Sequence, residues 1–140
     1  MEEAMVYPVA ALVLLTAIMT VRSGRMNLAA VRSRSVRAQQ FLVFESGELP
    51  MPVQLAARNV SNLFEYPTAF YALAAFLCIF ERVNLFFLIG AWLYVGLRCM
   101  HSYVHVKGES LINRFRTFGA SCIVLWGLWA AFVAVMLWPS

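Results

Sequence analysis

Three polar side chains of this sequence are spaced so that one face of a helix would carry them all. Arg58, Asn62 and Glu65 follow one another at intervals of four and three residues, and residues at these intervals lie on the same side of an α-helix. A guanidinium binds a carboxylate through two parallel hydrogen bonds, and a carboxylate can receive an ammonium group. The set predicts a site for a small charged ligand, unless the three side chains pair with one another along the helix.

A second set on one helical face consists of Arg98, His101 and His105. Two histidines four residues apart can hold a metal ion or haem, and they can also form a polar cap at the end of a helix. Because neither a cysteine nor a carboxylate shares this face, we predict no metal site here.

Arg114 is a third candidate, and Arg116 follows it closely. Arg116 is best interpreted as a positive anchor beside a membrane. Position alone leaves Arg114 two interpretations: it points either into the protein interior or outward, like Arg116.

The composition identifies the elements that must position these residues. Hydrophobic residues make up 62% of the 140-residue chain and charged residues 13%, against about 45–50% and about 25% in soluble domains. A soluble domain of this size leaves too much surface exposed to hide so many apolar side chains. The composition therefore excludes a soluble, disordered or disulfide-stapled protein and predicts a single membrane domain over residues 1–140.

Four apolar runs predict four transmembrane helices, since a bilayer core is crossed by about 20 helical residues. The predicted helices cover about residues 4–22, 53–80, 85–106 and 115–138. Pro67 lies inside the second helix and is expected to interrupt its hydrogen bonding. Acidic residues precede the first run, so we expect it to remain in the protein as a span and not to act as a signal peptide.

The basic residues predict the orientation of the bundle, because loops rich in Lys and Arg stay in the cytoplasm. The expected loop from residue 22 to residue 52 and the turn between the third and fourth helices are both basic, which places both termini on the non-cytoplasmic side. The formal net charge is +4, but the arginines are needed at the membrane boundary, so we predict no nucleic-acid partner. The basic residues of these two segments are Arg22, Arg25, Arg32, Arg34, Arg37, Lys107, Arg114 and Arg116.

The order and spacing of these residues resemble the MAPEG family, the membrane-associated proteins in eicosanoid and glutathione metabolism. The segment from Arg58 to Pro67 is similar to the signature Arg-x-x-x-Asn-x-x-Glu on the second helix of that family. The segment from Arg98 to His105, followed by Arg114, is similar to the family's third-helix motif and to the arginine that opens its fourth helix. The resemblance covers essentially the whole chain.

This resemblance implies a homotrimer of four-helix protomers that binds glutathione between subunits near the cytoplasmic side. It implies that Arg114 lies near the glutathione thiol and favours the thiolate, which attacks a lipophilic electrophile or reduces a lipid hydroperoxide. The other residues implied to hold or line glutathione are Arg58, Asn62, Glu65, Tyr66, Arg98, His101 and His105.

The sequence also departs from the family pattern. Catalytic members carry tyrosine at one or both of the positions of His101 and His105, and Phe115 leaves no hydroxyl next to Arg114. Because the family includes a member that presents lipid to a partner enzyme without transferase activity, the alternative function is a non-enzymatic lipid-binding or accessory membrane protein.

Overall fold

The described residues form five α-helices in four spans. The computed structural model describes residues 1–37, 49–108 and 110–138, and within these ranges it contains no strand. The helices are α1 (Glu2–Arg32), α2 (Met51–Glu65), α3 (Pro67–Ile79), α4 (Leu85–Lys107) and α5 (Leu111–Leu137). The helices α2 and α3 together form one span, and all four spans are long and apolar enough to cross a membrane. The predicted all-α membrane fold with four spans is confirmed.

The first helix is longer than the sequence predicted. It ends at Arg32 and not near residue 22, so Arg22 and Arg25 lie on a helix and not in a loop. The prediction ended the helix where the apolar run ends, but leaving the bilayer does not end a helix. Most residues from 22 to 32 are good helix formers. The largest other difference is the start of the fourth span at Leu111 instead of residue 115.

The second span is interrupted where the sequence predicted. Tyr66 separates α2 from α3, and Pro67 opens α3 without an N–H to donate to the carbonyl of Leu63. Tyr66 keeps a right-handed helical conformation with φ −70° and ψ −39°, so the helical backbone conformation continues across the missing hydrogen bond.

Capping residues define the start and the end of α4 and the start of α5, and the short connection between the two helices favours their antiparallel packing. The side chain of Asn84 accepts a hydrogen bond from the backbone N–H of Phe87 at 3.2 Å, and Ser110 accepts one from Asn113 at 3.4 Å, as is typical of helix N-caps. Gly108 ends α4 with φ 68°, a left-handed conformation that glycine adopts without steric cost.

The buried residues divide the bundle into two ends. The apolar end is formed by the start of α1, all of α3, the start of α4 and the final part of α5. Its buried side chains include Met5, Leu12, Phe70, Leu73, Phe87, Ala91, Leu125 and Phe132. The polar end is formed by the opposite ends of the same spans. Its buried polar side chains are Ser23, Asn59, Arg98, His101, Ser102 and Ser121.

Candidate functional site

A cavity of about 260 Å³ lies at the polar end, between α2, α4 and α5. Five of the eight site residues predicted from the sequence line it, and apolar side chains of α5 complete its wall. The lining residues are Arg58, Asn62, His101, His105, Leu111, Arg114, Phe115 and Phe118. Two larger clefts along α1 contain none of the eight predicted residues.

Arg58 and Asn62 reach the cavity from α2, one helical turn apart. Arg58 is exposed, and no ion pair joins it to Glu65. Pairing of Arg58 with Glu65 along the helix, which the sequence left open, is therefore not formed. The guanidinium of Arg58 remains available to a ligand.

Arg98 lies behind Asn62 and not on the cavity wall. Its side chain is fully buried, with 0% exposure. Its Nη2 donates to the backbone carbonyl of Asn62 at 3.1 Å and also to the side-chain oxygen of Asn62. Arg98 thus holds Asn62 in place and joins α4 to α2 one turn before the interruption at Pro67.

His101 is oriented by a hydroxyl of α5. Its Nδ1 lies 3.1 Å from Oγ1 of Thr117, and Thr117 is placed to donate to the backbone carbonyls of Asn113 at 3.0 Å and Arg114 at 3.1 Å. A hydroxyl has one proton. When that proton goes to a carbonyl, Nδ1–H of His101 is the donor to Thr117. In a neutral imidazole, Nε2 then remains an acceptor, and this buried atom has no partner among the described residues.

Aromatic packing completes the wall beside the histidines. The ring centroids of His101 and His105 are 5.6 Å apart, and the ring of Phe118 lies 5.6 Å from that of His101. Nδ1 of His105 is buried without a partner in the described part of the chain. Among those residues, no group of three or more histidine, cysteine or acidic side chains is arranged to hold a metal ion.

Arg114 lies on the cavity wall and is half-buried, whereas Arg116 is exposed and does not line the cavity. Within the described ranges, Nε of Arg114 is buried without a hydrogen-bond partner. Arg114 also interacts electrostatically with His101 and His105. Of the two interpretations left open by the sequence, the inward one describes the position of Arg114.

Glu65 and Tyr66 lie outside the cavity of the single chain. Glu65 is exposed, and the ring of Tyr66 packs edge-on against Phe118 with centroids 4.5 Å apart. The sequence did not single out Thr117 as a site residue. Its position three residues after Arg114 was a usable signal, because that spacing places the hydroxyl on the same side of α5.

The cavity therefore offers two guanidiniums, two imidazoles and one amide, and among the described residues no carboxylate lines it. Guanidiniums bind carboxylates and phosphates. The arrangement is suited to a small anionic ligand.

A comparison with protein families matches the chain to a known family. The model of the MAPEG family matches residues 5–134 of the 140-residue chain. No curated protein and no solved structure matches the chain.

Proposed function

We propose a glutathione-dependent function for this chain, which belongs to the MAPEG family. Membership supports a membrane role in glutathione or eicosanoid metabolism in general. Our specific proposal is a membrane transferase or peroxidase that uses the glutathione thiolate against a lipophilic electrophile or a lipid hydroperoxide.

The cationic cavity is the observation that carries this proposal. Glutathione contains two carboxylates, a thiol and an ammonium group. Arg58 and Arg114 supply guanidiniums from different helices, and Asn62 supplies an amide. The buried Nε2 of His101 and Nδ1 of His105 have no partners in the described ranges, so they are available to polar groups of a ligand. These residues fit the carboxylates and thiol of glutathione.

In this proposal, Arg114 has the catalytic role. A positive charge beside a thiol lowers the pKa of that thiol because it favours the anionic form. Arg114 therefore stabilises the thiolate of bound glutathione. Phe115 and Phe118 line the cavity next to it, while Arg98 and Thr117 hold the polar side chains in position.

The remaining predicted residues require a second subunit. No carboxylate among the described residues of one chain lines the cavity, so none of these residues receives the ammonium group of glutathione. In the homotrimer that we propose, Glu65 and Tyr66 contribute to a site completed by a neighbouring protomer. We also propose that both termini lie on the non-cytoplasmic side and the cavity near the cytoplasmic side, because the basic residues cluster at the polar end.

Calorimetric titration of the purified protein in detergent with glutathione tests this function. Unmodified protein and Arg116→Ala are expected to bind glutathione equally, whereas Arg58→Ala is expected to bind about tenfold more weakly, as for the loss of one charge-assisted hydrogen bond. Absence of binding at millimolar glutathione would contradict the proposal. Cross-linking followed by mass measurement of the detergent complex tests the trimer.

A second candidate function is non-enzymatic lipid binding. An apolar cleft of about 530 Å³ favours it; the cleft lies between α1 and the second span and is lined by residues such as Val13, Leu63 and Tyr71. This function predicts that the protein retains a lipid or fatty acid through purification and that glutathione does not change its thermal stability. Mass spectrometry of extracted lipids, together with the calorimetric titration, distinguishes the two functions.

A further inference from the structure

Three fully buried polar side chains at the polar end have hydrogen-bonding atoms without partners. Arg98 and Ser102 of α4 are 0% exposed, and Asn59 of α2 is 1% exposed. Within the described residues, both amide atoms of Asn59, Nε and Nη1 of Arg98, and Oγ of Ser102 have no hydrogen-bond partner. None of the three side chains lines the cavity. Buried polar groups in folded proteins are normally hydrogen-bonded, so these five unpartnered atoms are unusual.

The packing of α2 against α4 brings these groups to one place. The hydrogen bonds from Arg98 to Asn62 set the register of the two antiparallel helices. Asn59 precedes Asn62 by about one turn, and Ser102 follows Arg98 by about one turn, so this register is expected to place Asn59 opposite Ser102. Tyr94 lies one turn before Arg98 on the same face, and its buried hydroxyl also has no partner among the described residues.

The cluster has an excess of donors and a positive charge. Its unpartnered donors are the amide nitrogen of Asn59, two nitrogens of Arg98 and the hydroxyls of Ser102 and Tyr94. No carboxylate of the described ranges forms an ion pair with Arg98. A buried charge is normally stabilised by an opposite charge and by hydrogen bonds. A small anion supplies both, whereas water supplies hydrogen bonds alone.

We propose that the interior of the bundle binds a small inorganic anion, such as chloride, between Arg98, Asn59 and Ser102. This site is separate from the cavity, because none of these three side chains is among the residues that line the cavity. The anion neutralises the guanidinium of Arg98 and stabilises the packing of α2 on α4. The proposal does not depend on glutathione binding.

Thermal unfolding of the full chain in detergent tests this anion site, with chloride and gluconate compared at equal ionic strength. We expect the unfolding midpoint to rise saturably with chloride and to stay unchanged with gluconate. Ser102→Ala should shift the chloride titration to about tenfold higher concentration, as for the loss of one hydrogen bond to a charged group. Ser61→Ala on the exposed face of α2 is the matched control and should titrate like the unmodified protein.

A bromide-soaked crystal supplies an independent measurement that does not rely on a variant. The proposal predicts an anomalous peak within hydrogen-bonding distance of the Arg98 guanidinium. Equal unfolding midpoints in chloride and gluconate would overturn it, as would a chloride effect that Ser102→Ala leaves unchanged. A crystal with water alone at Arg98 and no bromide peak would also overturn it.

Discussion

The two ends of the bundle are formed by the same four spans but differ in how their buried side chains are packed. At the apolar end, aromatic rings pack against one another, as in the stacked pair Phe76 and Phe132 with centroids 6.2 Å apart. At the polar end, several buried nitrogen and oxygen atoms have no partner in the described part of the chain. Helices in a membrane associate through close packing, so the apolar end stabilises the fold. Unsatisfied polar groups lower stability and are typical of functional sites.

Removal of Arg114 should have the largest effect on function. We expect Arg114→Ala to lower glutathione-dependent turnover by about 100-fold or more, as for the loss of a group that stabilises developing charge. The thermal unfolding midpoint should remain unchanged because Arg114 has no ion pair within the described ranges. Turnover with a model electrophile and thermal unfolding in the same detergent check both parts.

The exposed Arg116 is the matched control for this prediction. Arg116→Ala removes the same charge two residues away but outside the cavity, and it should keep full turnover. Equal losses in the two variants would mean that net charge at the membrane surface, and not the position of Arg114, determines activity.

A substitution at the apolar end should lower the stability of the protein without changing glutathione binding. Leu12 is 0% exposed, and Leu12→Ala is expected to lower the free energy of unfolding by about 3 kcal/mol through the cavity it creates. Glutathione affinity should not change. Reversible unfolding combined with calorimetric titration measures both quantities, and Leu14→Ala, at a position 61% exposed, is the control. A loss of glutathione affinity in Leu12→Ala would show that packing at the apolar end affects ligand binding at the polar end.

Asn62 lines the ligand cavity and also accepts hydrogen bonds from the buried Arg98. Asn62→Leu removes the side-chain acceptor of the buried Arg98, and we expect about 2 kcal/mol lower stability together with weaker glutathione binding. Asn113→Leu changes the same residue type at an exposed position of α5 and should change neither. An Asn62→Leu variant of normal stability would contradict the positioning role assigned to Arg98.

The smallest expected effect is at Thr117. Thr117→Val removes the hydroxyl bonded to Nδ1 of His101 while keeping the size of the side chain. We expect several-fold weaker glutathione binding, as for one hydrogen bond of about 1 kcal/mol, and rescue by Thr117→Ser. If serine fails to rescue, the shape of the side chain and not its hydroxyl is what His101 requires.

The sequence predicted the four spans and the interruption before Pro67, because apolar length and the position of a proline are properties of one segment. Helical spacing also placed four of the five predicted residues that line the cavity on shared helix faces. The sequence did not predict how deeply each of these side chains is buried. Arg98 and His101 share a face of α4, yet Arg98 is buried behind Asn62 while His101 lines the cavity. That difference depends on the register between α2 and α4, which spacing within one helix does not contain.

Two further differences between the predicted and the observed structure also depend on properties that apolar length and helical spacing do not measure. The end of α1 at Arg32 depends on helix propensity beyond the bilayer, which hydropathy does not measure. Glu65 belongs to the motif of α2 but is exposed and outside the cavity of one chain. Its role in our proposal requires a neighbouring subunit, and a single sequence contains no information on that geometry.

The most direct test of the central claim is the ultraviolet absorbance of the thiolate during a glutathione titration near neutral pH. We predict that thiolate absorbance grows in proportion to binding in the unmodified protein and in Arg116→Ala, and that it is absent in Arg114→Ala at saturating glutathione. Binding without thiolate in the unmodified protein, or full thiolate formation in Arg114→Ala, would contradict the role proposed for Arg114.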